Sequence, residues 1–372
     1  MDRRIAIARV LMHVNRPQTA LDILTPWLPQ RAPQPRAALR GAEARQMLGD
    51  HRAALRLYQA AADRAGDARI EASAWLGVAH IHANTGHYRQ ALADLDRMDQ
   101  ASARITDRRR RTDAQTKASA ARGRIQTSIG DDLAAARSYR RAVRAATRNA
   151  DHGQRLSALV MGADVFRSAG KPLAAIAQLD EAFADNTIYT RPFSRMWGHY
   201  YRGLARSASG DLPRGREDLL ECLTHARSTG NLQAAAWAQV TLSSFHLHDN
   251  LAAAQRYADD CERTIARYGR MPLCRIRLEW HRAEIARANA DLAGARDQLR
   301  LVRRHLRSDP LSYGSAYMTP YVHAMEAEIA RSEDRDDAVA LLDRAMAGFR
   351  AGGWMQQVAR LAQGQMPRLQ TR

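Results

Sequence analysis

The chain has 372 residues, 45% of them apolar but only 6% aromatic, and carries a formal net charge of +18. No apolar run is long enough to cross a membrane, and no uninterrupted apolar core follows the first residues as a secretory signal would require. Three cysteines, Cys222, Cys261 and Cys274, lack zinc spacing and are odd in number, which excludes a disulfide framework and a cysteine metal cluster.

Ala and Leu dominate the apolar residues, and these lose little entropy on entering a helix, so an all-α fold is expected. Free thiols make the cytoplasm the expected location. Of the 57 Lys and Arg residues only Lys117 and Lys171 are lysine, so 55 are arginine. A bias of that size looks like codon usage in a GC-rich genome as much as selection for a partner, although the charge suits anionic partners.

In chain order, the predicted elements are pairs of apolar-periodic helices on either side of a short break. The breaks stand at Asn15, Gly49, Gly86, Gly130, Gly170, Gly210, Asp249, Ala290 and Arg335, separated by 34, 37, 44, 40, 40, 39, 41 and 45 residues. Five positions after each break stands a small residue: Ala20, Ala54, Ala91, Ala135, Ala175, Gly215, Ala254, Ala295 and Ala340. Seven positions before the breaks stand Ala8, Ala42, Ala79, Gly123, Ala163, Gly203, Leu242, Ala283 and Glu328. Two helices folded onto each other need small side chains where their axes come closest. Leu242 and Glu328 break the pattern, so the seventh and ninth units fit worst. Larger residues (Leu24, Tyr58, Leu95, Tyr139, Leu179, Leu219 and Leu299) follow nine past the break and fill the seam. Gly closes a helix in the left-handed conformation, and Asp50, Asp131, Asp211, Asp291 and Asp336 are placed to cap the next helix.

Two long connections interrupt the regularity, and a third stretch does not. Residues 26–35 fit an ordinary connection. Residues 100–116, holding Arg108, Arg109, Arg110 and Arg111, read either as a loop or as an extension of the following helix. Residues 308–320 read as a loop. The last two are candidate bends. Residues 351–372 read as a capping helix, Trp354 to Gln363, closed by Gly364 and followed by a frayed tail.

The small residue at position eight, turn near fifteen, Ala at twenty and aromatic or Leu at twenty-four resemble the tetratricopeptide (TPR) repeat, and Ala61, Ala142, Ala182 and Ala347 supply the family's further Ala. The period near forty is similar to the MalT-like repeats of bacterial transcription regulators and to bacterial peptide-pheromone receptors. The resemblance spans about residues 1–350. It implies a right-handed superhelical solenoid of about nine hairpins, in which stacking buries what no hairpin buries alone. It also implies a cytoplasmic, non-catalytic protein- or peptide-binding scaffold, the sensor or interaction part of a bacterial regulator, with self-association through terminal repeats left open. Its concave groove would be lined by Lys117, Arg124, Asp164, Arg167, Trp197, Tyr200, Gln239, Ser243, His246, Arg277, Trp280, Glu284 and Arg287, with Trp197 and Trp280 equally placed to be seam residues. Arg forks suit carboxylates and the amides suit peptide backbone.

Competing chemistry is sparse. There is no GxxxxGK[ST], GxSxG or HExxH motif, so no enzyme, cofactor or metal is expected. The pairs His80/His82 and His246/His248 sit two apart, which on a helix points them to different sides. Cys222 and Cys261 fall where the repeat places Ala and read as core residues. The alternative function is nucleic-acid or polyanion binding on the convex side. There Arg137, Arg141, Arg144 and Arg148 form one helical stripe, Arg296, Arg300, Arg303 and Arg307 form another, and Arg108–Arg111 extend them. Few aromatics interleave these arginines to stack bases.

Overall fold

The computed structural model describes residues 2–13, 16–28, 34–48, 50–85, 87–129, 131–247, 249–268, 271–308, 313–351 and 355–366. Every regular element among them is helical. Six hairpins make up the first compact unit, residues 1–231. They pair α1 (Asp2–His13) with α2 (Pro17–Leu24), α3 (Pro35–Met47) with α4 (His51–Asp63), and α5 (Ala68–Asn84) with α6 (Tyr88–Ala103). They continue with α7 (Arg108–Ile129) and α8 (Asp132–Arg148), α9 (His152–Ser168) and α10 (Pro172–Ala184), and α11 (Pro192–Ala208) and α12 (Leu212–Ser228). The second unit, residues 232–372, holds α13 (Leu232–His246) with α14 (Leu251–Tyr268), α15 (Pro272–Ala288) with α16 (Leu292–Ser308), α17 (Tyr313–Ser332) with α18 (Ala338–Ala351), and the closing helix α19 (Met355–Ala362). This is the all-α, TPR-like solenoid expected from the repeat.

The small residues do what the pattern requires. Ala20, Ala54, Ala91, Ala135, Ala254 and Ala295 are fully buried, as are Ala8, Ala42, Ala79, Ala163 and Ala283 on the facing helices. Leu24, Leu95, Leu179, Leu219 and Leu299 fill the space between them. Leu242 is also enclosed, so the seventh hairpin accommodates a larger side chain at its crossing. At the turns, Gly170, Gly210 and even Ala290 take positive φ, and Asp50, Asp131, Asp211 and Asp291 accept backbone N–H groups of the next helix. The breaks at Asn15, Gly49, Gly86 and Gly130 lie outside the described residues.

The ninth hairpin corrects the expected register. Its left-handed residue is Asp334, and α18 starts only at Ala338, whereas Ala290 is followed at once by α16 from Leu292. The turn is longer here: α18 starts three residues after the expected break at Arg335, against two after the other breaks, so its fourth residue, the inward place that Ala295 fills in α16, is Leu341. Ala340 is therefore exposed, and Leu341, Ala345 and Phe349 face inward instead. Glu328 is half-buried and pairs with Arg287 rather than lying at a tight crossing.

Both irregular stretches are largely helical among the described residues, with residues 309–312 lying outside them. In the first, α6 ends at Ala103 and α7 begins at Arg108, capped by Asp107, whose Oδ1 accepts from Arg110 N at 2.8 Å. In the second, α17 begins at Tyr313, so residues 313–320 are helix rather than loop, with Pro320 inside it. A Cβ built on Gly348 would stand 2.6 Å from the Pro320 ring, so the glycine makes room for that proline. The division between the units falls after Asn231, away from both stretches. The closing helix runs to Ala362, with Gly364 at φ 69°; Trp354 and the tail from residue 367 lie outside the described residues.

Candidate functional site

In the first unit, α5, α7, α9 and α11 are the leading helices of consecutive hairpins, and each packs against the next. Together they assemble a polar and aromatic cluster. Its centre is Arg124 on α7. Its Nη2 is buried with no hydrogen-bond partner, and no carboxylate pairs with it, among the described residues. Its electrostatic neighbours are the phenols of Tyr139, Tyr201 and Tyr88, and the imidazole of His80. Burial pulls the Arg124 guanidinium below the usual arginine range. Burial, and then the Arg124 charge, push His80 down to about 3, so that imidazole is neutral. Burial likewise raises Tyr201, and the nearby Asp164 charge adds to it, which keeps the phenol a hydrogen-bond donor.

Beside Arg124, α9 supplies Asp164 and Arg167 one turn apart, joined at 2.6 Å with both residues buried. From α11 come Trp197 and Tyr200, ring centroids 5.3 Å apart and edge-on, with Tyr201 stacked 5.8 Å from Trp197. The Trp197 Nε1 is a second buried donor without a partner among the described residues. The structure thus gathers Arg124, Asp164, Arg167, Trp197 and Tyr200 from the expected groove set and adds His80, Tyr139 and Tyr201. Of the added residues, Tyr139 is a seam position of the repeat, His80 belongs to a histidine pair, and Tyr201 is marked only by its adjacency to Tyr200. Lys117 is exposed on the same helix as Arg124 and pairs with Asp113 at 2.8 Å.

The second unit treats its share of the expected groove differently. Arg277 lies with its guanidinium 5.4 Å over the Trp237 ring and a buried Nη2 without partner among the described residues. Gln239 is buried, with Oε1 in the same state. His246 stacks on Tyr257 at 5.6 Å, Glu284 accepts from His281 at 2.7 Å, and Arg287 pairs with Glu328 at 3.0 Å. Trp280 takes the seam place left open for it, and Ser243 is corrected. Trp280 is fully enclosed, with the Tyr321 ring 5.9 Å away, and Ser243 is fully enclosed with its hydroxyl on the Ala254 carbonyl at 2.9 Å. Neither has surface to offer a ligand, because both sit at contacts between helices.

The arginine stripes also separate. Arg137, Arg141, Arg144 and Arg148 are exposed on α8 with no carboxylate partner among the described residues. On α16, Arg296 pairs with Glu333 at 2.9 Å, Arg303 with Glu326, and Arg300 with Asp297, while Arg307 is exposed. At the start of α7, Arg108 and Arg109 are exposed, Arg110 lies 4.0 Å from Asp107, and Arg111 donates to the Ile105 carbonyl at 2.8 Å. Asn149, just past α8, donates to the Arg109 carbonyl at 3.2 Å, so the arginine run and the end of the α8 stripe are neighbours. Four cations at a helix N-terminus oppose the helix dipole. The histidine pairs behave as expected where described: His82 is held by Asp94 at 2.6 Å, apart from His80, while His248 lies outside the described residues. All three cysteines are buried.

The fold is that of TPR-like helical-repeat proteins. Over nearly its whole length it is similar to a Rap protein complexed with competence and sporulation factor, with TM-score 0.67 and 12% identity over 96% of this chain and 98% of that one. It is also similar to the Rap conjugation gene regulator of the plasmid pLS20 in complex with the Phr* peptide (TM-score 0.61, 12% identity, 96% and 93% covered). A third is aspartyl phosphate phosphatase F from Bacillus subtilis (0.56, 11%, 93% and 93%). No protein-family model and no curated protein matches the sequence. At such identities the likeness establishes the fold.

Proposed function

We propose that this protein is a non-catalytic peptide- or protein-binding scaffold, and that the face formed by α5, α7, α9 and α11 is a ligand seat. The observation that carries the reading is Arg124. A buried guanidinium without an acidic partner is costly to the folded protein, and an incoming acceptor removes that cost. Trp197 Nε1 offers a second donor nearby, and half-buried Tyr201, backed by the enclosed rings of Trp197 and Tyr200, offers rigid amphipathic surface of the kind that dominates binding energies. A peptide presenting a carboxylate and backbone carbonyls satisfies both donors. Two of the structural neighbours were solved with peptides or signalling factors bound, which agrees with this use of the fold.

Selection from an unbiased pentapeptide library on the immobilised full chain tests the proposal. Enriched peptides should carry an acidic group or depend on their free C-terminus. They should lose about tenfold or more in affinity for Arg124→Gln and Trp197→Ala, a loss of about 1.4 kcal/mol or more. Enrichment of nothing, or of peptides that bind both variants as well as the parent, would refute it.

A second reading has one specific observation in its favour, the uncompensated α8 stripe beside Arg108–Arg111. It predicts polyanion binding on the outer side of the first unit alone, since the α16 stripe is largely neutralised. Replacing Arg141, Arg144 and Arg148 with Gln would then shorten retention on heparin and flatten its salt dependence, while Arg124→Gln would leave retention unchanged.

A further inference from the structure

We propose that His199, Glu221 and His225 form a binding site for a divalent transition-metal ion of the zinc class. Glu221 and His225 stand four apart on α12 and so share one face of that helix. His199 reaches the same point from α11, the other arm of the hairpin. One ligand atom from each of the three lies within 4.8 Å of the others, and His225 Nε2 is 3.7 Å from Glu221 Oε2. Tetrahedral zinc with bonds near 2.1 Å spaces its ligand atoms about 3.4 Å apart, so small side-chain rotations close the site.

Three further features make the cluster a prepared site. His225 Nε2 is buried with no hydrogen-bond partner among the described residues, a lone nitrogen in want of an acceptor or donor. The His199 Nδ1 is held by Asp218 Oδ1 at 3.1 Å, which orients the ring and leaves Nε2 to face the ion, the usual carboxylate support of a ligating histidine. The two imidazoles lie nearly parallel, centroids 5.7 Å apart and planes 27° apart, with Phe183 4.6 Å from His199 as an apolar wall. Asp218 also accepts from Arg202 and Arg206 at 2.8 Å, so its charge neutralises the cations closest to it. Two imidazoles and one carboxylate favour zinc, cobalt or nickel over magnesium and calcium, which prefer oxygen ligands. Three protein ligands leave a fourth position for water or an incoming group. The ion would staple α11 to α12, and α11 also carries Trp197, Tyr200 and Tyr201.

The test is titration of the metal-stripped full chain with Zn²⁺ by calorimetry and with Co²⁺ by absorption. The expected result is saturable binding of about one equivalent, weakened at least about tenfold in Glu221→Gln and in His225→Ala. Both positions are at least partly exposed, so both variants should keep the fold, checked by circular dichroism. His87→Ala, on an exposed residue elsewhere in the unit, should bind as the parent does. Added Zn²⁺ should raise the melting temperature of the parent and not of His225→Ala. Absence of a saturable equivalent, or equal affinity in the parent, Glu221→Gln and His225→Ala, overturns the proposal.

Discussion

Gly203 of α11 packs so tightly on Gly215 of α12 that a Cβ on Gly203 would stand 2.8 Å from the Gly215 carbonyl oxygen and 3.0 Å from Leu219 Cγ. The obstacle is backbone, which cannot rotate away as a side-chain end can. Gly203→Ala should therefore push the helices apart and cost about 1–3 kcal/mol. Gly66→Ala, where no atom lies within 4 Å of the new Cβ, is the control. Urea denaturation midpoints measure both, and equal stability of the two variants would contradict the close crossing.

Trp280 belongs to the core of the second unit, among Ile276, Leu299, Tyr321 and Phe349. Trp280→Ala should cost about 3–5 kcal/mol through cavity formation. It should alter ligand binding only as far as the unit unfolds. The comparison of interest is binding per folded molecule, measured well below the melting temperature of the variant.

Arg124 should show the opposite trade. Removing a buried, uncompensated charge relieves its desolvation, so Arg124→Met should raise stability by about 1 kcal/mol while abolishing peptide binding. A lower melting temperature in this variant would mean that the guanidinium is already well satisfied in the fold.

Asp218 makes stability depend on acid. Burial alone would raise its pKa, but hydrogen bonds from His199 and Arg202, with the charges of Arg202 and Arg206, outweigh burial and hold it below the usual carboxylate value. A carboxylate with a depressed folded pKa stabilises fully above its unfolded value of about 4 and loses that contribution as pH falls through the folded value. Asp218→Asn should cost about 1–3 kcal/mol at pH 7, because half-buried Arg206 loses its carboxylate and Arg202 keeps only Asp180. Its stability should fall less steeply than the parent's below pH 4, as read from denaturation curves at several pH values.

The cysteines should be silent in the native protein. Burial pushes the Cys222 thiol up to about 12 and the Cys274 thiol well above its ordinary value, and the Cys261 and Cys274 sulfurs lie 3.9 Å apart inside the second unit. Thiolate is the reactive form. Ellman's reagent at pH 8 should find no fast-reacting thiol in the folded chain and three after denaturation in guanidinium.

What the sequence determined by itself is the repeat. A hairpin is built from contacts close in sequence, so small residues at fixed distances from a turn reveal which helices pair and where they touch, as Ala54, Ala91 and Ala135 do. The capping aspartates are legible for the same reason, since Asp131 acts on a residue three places away. Connection geometry was less legible: the ninth turn runs one residue further past its break than the others, so α18 starts at Ala338, Leu341 takes the inward place and Ala340 lies outward. A sequence that permits loop over 308–320 is drawn into helix from Tyr313 because tertiary packing supports it, with Gly348 shaped to Pro320. The site needed the tertiary structure most. Tyr200 and Trp280 occupy corresponding places in their repeats, ten residues before the break, yet Tyr200 joins the polar and aromatic cluster beside Trp197 and Trp280 is sealed in a core with Tyr321 and Phe349. Whether Arg124 meets a carboxylate, and whether His199 meets His225, depends on how neighbouring helices stack. That arrangement is written in summed packing energies across many residues, and no local spacing records it.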